Sequence, residues 1–263
     1  MYSFEIRKAD SVAGAAALLA QTGGKALAGG QSLVAAMKLR LAQPGTLVDL
    51  SGVPELKGIR REGSNLVVGA MTRHADVAAS KDVRAAISAL ADLAEGIGDR
   101  QVRNMGTIGG SLANNDPAAC YPAGVLGLNA TINTSKRKIA ADDFFKGMYE
   151  TVLAEDELIT SVSFPVGAKA AYVKFLQPAS RFALVGVFVA QTASGVRVAV
   201  TGAGSSVFRA KALEDALGKS FTPDAAKAVK ISPAGLNSDM HGSAEYRAHL
   251  IPVLTARAVA AAK

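Results

Sequence analysis

The sequence predicts an α+β protein: two α/β segments, followed by a third in which strands precede helices. Three observations predict it. Residues 1–57 read as a small β-α-β-α-β unit. Two stretches, ALAGGQSLVAAMKLR (26–40) and NMGTIGGSLANNDPA (104–118), repeat one order, an apolar run, two glycines and then a serine. Beyond residue 167, successive strands give way to alanine-rich helices, which makes a sheet covered by helices on one face. At 263 residues the chain exceeds a usual single domain, and its expected divisions are 1–57, 58–166 and 167–263.

Residues 3–8 alternate as a short strand. Asp10-Ser11 N-caps an alanine-rich helix that runs to Thr22 and is closed by Gly23-Gly24. Lys25–Ala28 is a short strand entering Gly29-Gly30. Ser32 caps a helix over Leu33–Leu41, where Leu33, Val34 and Met37 share a stripe. Pro44-Gly45 ends it, and Thr46–Leu50 is strand. Gly52, Pro54 and Gly58 mark a boundary. Asn65–Ala70 is a strand after the turn Gly63-Ser64. Thr72 caps a helix through Ala78, and another runs from Arg84 to Glu95 with Ile87, Leu90 and Leu93 on one side. Ala130–Thr134 and Arg137–Ala141 pair as a hairpin, and Leu158–Phe164 is a further strand before the boundary at Pro165 and Gly167. Tyr172–Gln177, Ala183–Thr192 and Gly195–Thr201 form an antiparallel meander with a tight turn at Ser194-Gly195. Helices follow around 207–217, 224–230 and 243–262.

Composition narrows the function. With 49% hydrophobic and 19% charged residues, a large core is expected and long disorder is not. No apolar run approaches the roughly 18 residues that span a bilayer, and MYSFEIRKADS lacks the basic-then-apolar order of a secretory signal. A cytoplasmic protein without a membrane span is expected. Cys120 is the only cysteine, which excludes an internal disulfide and an iron–sulfur cluster held by this chain alone. His74, His241 and His249 have no metal-ligand spacing, so no metal site is expected. The formal charge is +7, but the basic residues are dispersed. Their one run, Lys136-Arg137-Lys138, reads as a solvated hairpin tip rather than a nucleic-acid surface. The balance suits an anionic cofactor or an acidic partner subunit. There is no phosphate-loop G-x-x-x-x-G-K-[ST]. Val34 stands where a nucleophile elbow needs glycine, and Gly202-Ala203-Gly204 lacks the third glycine of a dinucleotide fingerprint.

The glycine pairs carry the chemistry. Without Cβ atoms, the backbone can turn its N–H groups toward one point and admit a bulky group. N–H groups converging ahead of a helix favour an anion. One such loop suggests a phosphate, and two suggest a diphosphate gripped from both sides, with Ser32 and Ser111 adding hydroxyls. Each alone also reads as an ordinary strand-to-helix turn; the shared order favours a ligand. Three donors per loop, at roughly 1.5–3 kcal/mol each, give about 10–15 kcal/mol gross. Association costs about 4–15 kcal/mol, so flanking rings must contribute, and a dinucleotide fits better than a mononucleotide. Arg100 and Arg103 either neutralise phosphate charge or form outward salt bridges. Asn114, Asn115 and Asp116 either bind ribose hydroxyls or form an Asx-turn before Pro117. Lys174 lies in an apolar strand, where a buried charge needs a partner, a ligand carbonyl or a carboxylate.

AGGQSL (28–33), MKLR (37–40), QVRNMGTIGGSLANNDPAACYPA (101–123), ADDFF (141–145), DELIT (156–160) and HGSAEYR (241–247), in that order, resemble the FAD-binding medium subunit of the molybdenum hydroxylases, the xanthine dehydrogenase and carbon monoxide dehydrogenase family. The resemblance implies two α/β subdomains of the vanillyl-alcohol-oxidase-like (PCMH-type) FAD-binding fold, then a smaller domain with an antiparallel sheet and helices. It implies that Leu27, Ala28, Gly29, Gly30, Gln31, Ser32 and Leu33, together with Thr107, Gly109, Gly110 and Ser111, hold the FAD diphosphate. Asn114 and Asp116 fall where the family meets the adenosine half. The Ile159 backbone falls near the flavin ring, and Lys174 where an ammonium reaches it and can stabilise an anionic reduced flavin. Tyr172 is a weaker candidate for packing on the ring. Many members carry an acid where this chain has Cys120, which leaves the ribose contact to Asn114 or Asp116 or leaves a buried thiol without a role.

By the same resemblance this chain is an electron-transfer subunit with FAD bound non-covalently and no catalytic acid or base of its own. A small subunit with two [2Fe–2S] clusters and a large molybdopterin subunit are the implied partners, in a dimer of heterotrimers, with a quinone, NAD or another acceptor downstream. The rival readings are a stand-alone flavin oxidoreductase and a non-catalytic dinucleotide-binding or scaffold subunit. Against the first, no His or Cys adjoins the loops for covalent flavin attachment, and little length remains for a substrate cap.

Overall fold

In the computed structural model, which describes residues 1–263, the chain is organised on three principal sheets. The first segment contains β1 (Glu5–Lys8), α1 (Val12–Thr22), β2 (Lys25–Leu27), α2 (Leu33–Lys38) and β3 (Thr46–Asp49), with parallel strands in the order β1-β3-β2. Ser11 caps α1 as its sequence predicts, its Oγ accepting from the Gly14 N–H at 3.2 Å, and Gly23 closes it at φ 60°. Ala15 and Leu19 of that helix join a core of 8 buried residues with Val48, Leu50 and, from far along the chain, Leu158. The expected Ser32 cap is absent: Ser32 has a helical backbone, its side chain makes no capping bond, and α2 ends at Lys38 rather than Leu41.

The second segment begins with a hairpin, β4 (Ile59–Glu62) and β5 (Asn65–Gly69), turned at Gly63. Six helices follow: α3 (His74–Ala79), α4 (Lys81–Ala86), α5 (Ser88–Glu95), α6 (Arg100–Met105), α7 (Ile108–Asn114) and α8 (Tyr121–Gly127). Then come β6 (Thr131–Thr134), β7 (Lys138–Ala140), α9 (Ala141–Phe144), the small ribbon of β8 (Phe145–Gly147) and β9 (Glu150–Thr151), and β10 (Ile159–Pro165). The five-stranded sheet is antiparallel in the order β4-β5-β10-β6-β7. Two expectations are corrected, and one helix appears where none was expected. Thr72 does not cap α3; its hydroxyl donates to the Gly58 carbonyl at 3.1 Å. The helix expected over Arg84–Glu95 is two helices broken at Ile87, whose backbone leaves the helical region while its side chain is buried. The arginine-rich approach to the second glycine pair is itself a helix, α6, capped by Asp99.

The third segment contains the expected meander: β11 (Lys169–Leu176), β12 (Ala183–Thr192), β13 (Gly195–Thr201) and the short β14 (Phe208–Arg209), antiparallel in that order. Helices α10 (Lys211–Lys219), α11 (Pro223–Lys227) and α12 (Ala244–Ala261) follow. One face of the sheet packs on these helices, Val185, Val187 and Val189 meeting Leu250, Ile251 and Leu254. The other face is covered too, because Ala170, Phe188, Ala190 and Ala199 enter the core of 32 buried residues centred on the second segment. Asp142 ties the two segments, pairing with Arg197 at 2.7 Å and Arg209 at 3.5 Å.

The basic run 136–138 is not simply solvated. Arg137 folds back so that its guanidinium holds the buried Glu157 carboxylate through two bonds of 3.0 Å, and Glu157 also accepts from the Thr134 hydroxyl and the Ala154 N–H. Those bonds from Arg137, opposed by burial and reinforced by Thr134 and Ala154, hold the Glu157 pKa down at about 2. A depressed carboxyl contributes stability above its unfolded pKa and loses it as pH falls through the folded one. Glu157→Gln is expected to cost about 2 kcal/mol at neutral pH, from a buried hydrogen-bond network with a charged member. The gap between variant and wild type in denaturant midpoint should close between pH 4.5 and about pH 2. A gap independent of pH would contradict this account.

Candidate functional site

The three segments line one cleft of about 1010 Å³, at the upper end of small-molecule sites. The residues of the two turns and their companions expected at the cofactor all line it: Leu27 to Leu33, Thr107, Gly109, Gly110, Ser111, Asn114, Asp116, Ile159 and Lys174. The two glycine turns meet there, backbone against backbone. A Cβ on Gly29 would overlap the Met105 carbonyl and stand 2.8 Å from the Gly106 Cα; one on Gly110 would stand 3.6 Å from the Ala28 Cβ.

Their roles are unequal, which corrects the symmetric expectation. The N–H groups of Gly29, Gly30, Gln31, Ser32 and Leu33 have no acceptor within the chain, and Gly30 is left-handed at φ 70°. Successive unpaired N–H groups around such a residue make a concave anion site. Four donors of the second turn are spent, and only the Thr107 N–H stays unpaired. Ile108 N–H bonds Thr72 O at 3.1 Å, Gly109 N–H bonds Ala70 O at 2.8 Å, Gly110 N–H bonds Thr107 Oγ1 at 3.1 Å and Ser111 N–H bonds Thr107 O at 3.0 Å. Nor does the pair lie between a strand and a helix: it sits in the first turn of α7, with α6 before it. Gly109 is required by packing, since its Cβ would stand 2.6 Å from that of Ala70. What this turn can offer a ligand is the Thr107 N–H and hydroxyls. The Ser111 and Ser32 hydroxyls have no partner in the chain, and the Thr107 oxygen, occupied as an acceptor, keeps its proton.

Among the ribose candidates, the Asn114 side chain is unbonded and faces the cleft lining. Asn115 is structural: buried, left-handed at φ 41°, and donating to Gly147 O, Glu150 O and Ser206 Oγ. Asp116 forms the Asx-turn, its Oδ1 accepting from the Ala118 N–H at 2.9 Å, and it also lines the cleft. Arg100 and Arg103 do not line the cleft, and Arg103 makes no outward salt bridge; it donates to the carbonyls of Ile97 and Gly98. Tyr172 is withdrawn from the site, its ring stacked on Phe188 at 6.3 Å. Lys174 has no carboxylate partner; its ammonium meets Gly96 O at 2.7 Å, Arg181 O at 2.9 Å and Cys120 Sγ at 3.5 Å.

Several lining residues carry no sequence signal, because distant loops deliver them. Leu153 to Glu155 come from the segment clamped by Glu157, and Ser180, Arg181 and Phe182 from the β11–β12 connection, with Phe182 49% exposed. His74 and Cys120 also line the cleft, so the expectation that no His or Cys adjoins the turns is wrong. His74 lies against Gly106 with its Nδ1 buried and unpartnered. Burial, helped by the charge of Arg103, lowers its pKa to about 4, so the ring is neutral at physiological pH.

The donor set and the cleft's volume fit a dinucleotide: unpaired backbone amides for a diphosphate, hydroxyls in the same lining, and about 1010 Å³ of space. Residues 2–167 match the family model for the FAD binding domain in molybdopterin dehydrogenase, and residues 170–262 that for the CO dehydrogenase flavoprotein C-terminal domain. The chain is 37% identical to the carbon monoxide dehydrogenase medium chain of Hydrogenophaga pseudoflava, over 98% of this chain and 96% of the other. It is 38% identical to the nicotine 6-hydroxylase medium subunit of Paenarthrobacter nicotinovorans, over 89% and 88%. It superposes on a chain of the H. pseudoflava carbon monoxide dehydrogenase structure that lacks the Mo-pyranopterin moiety, with a TM-score of 0.91, 39% identity and coverage of 99% and 97%.

The unequal glycines make a direct contrast. Gly109→Ala should lower stability by about 1–3 kcal/mol, the usual cost of overpacking. Gly110→Ala should leave it nearly unchanged, the gain in helix propensity offsetting a tight approach to Thr107 Oγ1. Denaturant midpoints of the two variants measure this, and equal midpoints would refute the packing role of Gly109.

Proposed function

The chain belongs to the family of FAD-binding medium subunits of molybdenum hydroxylases, and from that membership we propose that it is the electron-relay subunit of such an oxidoreductase complex. Bound FAD supplies the redox chemistry. A partner carrying two [2Fe–2S] clusters would deliver the electrons, a molybdopterin subunit would oxidise the organic substrate, and an external acceptor would take the electrons on. The assembly we favour is a dimer of heterotrimers in the cytoplasm; no helix of the chain is long and apolar enough to cross a membrane. The divisions at 57/58 and 166/167 belong to the same reading.

The observation that carries the reading is the row of unpaired N–H groups from Gly29 to Leu33, in one cleft lining with a second turn that offers hydroxyls. In this reading the first turn binds the diphosphate through backbone amides, and Ser111 and Thr107 complete its ligation from the other side. Asn114 and Asp116 meet the ribose and adenine half. Ile159, buried at the start of β10, lies at the flavin half together with Phe182. Neutral His74 adds no charge to the site, so amide dipoles do most of the work of holding the anion. Substrate specificity resides in another polypeptide, consistent with relatives named for carbon monoxide and for nicotine.

The isolated full chain should purify with flavin absorbance bands and neither iron nor molybdenum, and acid precipitation should leave the flavin in the supernatant. A colourless chain that takes up no FAD on reconstitution would refute the assignment. Flavin retained in the precipitate would instead favour covalent attachment through His74 or Cys120. Gly110→Asp would set a carboxylate against the diphosphate and should abolish FAD retention. A Gly110→Asp chain whose unfolding midpoint matches that of Gly110→Ala yet holds no FAD reads out the ligand.

A further inference from the structure

We propose that the turn at the end of α2, residues 38–41, together with Tyr2 is the surface on which the iron–sulfur partner subunit docks, through an acidic face with an apolar centre. This rests on the electron-relay reading above.

The turn departs twice from its own motif. Arg40 N–H bonds Met37 O at 3.1 Å and Leu41 N–H bonds Ala36 O at 2.8 Å, the paired bonds of a Schellman helix end. The left-handed position in that motif is usually glycine. Here it is Arg40 at φ 60°, a conformation that costs an L side chain energy and persists only where the surroundings over-determine it. The residue after it commonly folds an apolar side chain back onto the helix. Leu41 does not: it is 79% exposed, and Leu39 is 71% exposed. The backbone bonds thus hold two leucines out to solvent. A single exposed leucine needs no explanation, but two that flank a strained arginine in a bonded turn make a presented surface.

The charge on this surface is unpaired as well. Lys38 lies in the last turn of α2, and the Arg40 guanidinium sits over the exposed Tyr2 ring, 5.4 Å from its centroid. Neither cation has a carboxylate within ion-pair distance. Tyrosine and arginine are prominent among the side chains that anchor protein interfaces, and positive charge around an apolar centre selects an acidic partner.

Position singles out which partner. α2 starts at Leu33, the last of the free amides, and is six residues long, about 9 Å at the helical rise. Residues 39–41 do not line the cleft, so a protein seated on them leaves the cofactor in place and lies within one short helix of its diphosphate turn. Electron transfer weakens steeply with distance, so the subunit that delivers electrons to the flavin must be the near one. The molybdopterin subunit, which delivers through the clusters, can stand further off.

The test uses the full chain co-expressed with the iron–sulfur and molybdopterin subunits of its complex and purified through a tag on this chain. Photo-reactive benzoylphenylalanine at position 41 should cross-link to the iron–sulfur subunit, identified by mass spectrometry. Leu39→Ser and Leu41→Ser should each raise about tenfold the concentration at which iron and flavin part on gel filtration, the weight of one interface anchor. The flavin content and unfolding midpoint of these variants, expressed alone, should match wild type. Arg40→Gly should leave the midpoint no lower, because glycine suits the left-handed position, yet weaken iron retention. Met240→Ser, at an exposed apolar side chain of the third segment, should change neither. A cross-link to the molybdopterin subunit or to a second copy of this chain would overturn the proposal, as would an intact complex with no cross-link. So would serine variants that hold iron as tightly as wild type, or that lose flavin or stability in step with iron. A wild-type preparation that carries flavin but no iron would sink the electron-relay reading instead.

Discussion

The arrangement depends on one close approach, that of Gly29 to the main chain of Met105 and Gly106. No side chain fits in that gap, so the two turns are registered to one another by the van der Waals radii of backbone atoms. That is a stiffer constraint than a side-chain contact, which can relax through a rotamer. Behind it the second turn is braced. His74 lies against Gly106, Gly109 lies on Ala70, and the carbonyls of Ala70 and Thr72 accept the N–H groups that open α7. The first turn approaches a fixed surface, and its own N–H groups are left free.

Sequence similarity between the two glycine pairs thus conceals a division of labour. One pair leaves space and donors for a ligand; the other leaves space for the protein to pack on itself. Arg100 and Arg103 lie outside the cleft lining, His74 is kept neutral by burial, and Lys174 donates to two carbonyls. Oriented amides need no reorganisation when charge arrives, so a site built from them is set before its ligand enters.

Local patterns in the sequence sufficed for the β-α-β-α-β unit, the hairpin at 131–140, the meander and every cleft residue carried by the glycine motifs, because each depends on neighbours within a few positions. The errors fall where tertiary partners decide. Ile87 breaks a helix in order to bury its side chain, Thr72 forgoes a cap to bond Gly58, and Arg137 turns inward to meet Glu157. Ser32 resembles a cap by type and position, yet its backbone is helical and its hydroxyl free. The strand β4, whose IRRE is exposed except at Ile59, has no alternation to betray it. Phe182, Leu153 and Ala154 reach the cleft only because loops distant in sequence fold over it.

The free amides stand on the segment with the least interior of its own. The cluster on that segment has 8 buried residues, Leu158 of the second segment among them, against 32 and 19 in the clusters centred on the other two, and its outer strand is exposed along its whole length. A body so small holds together weakly by itself, and a ligand that engages only its folded form stabilises it by mass action. Loading the cofactor would then register as a firmer hold on the amino-terminal fifth of the chain.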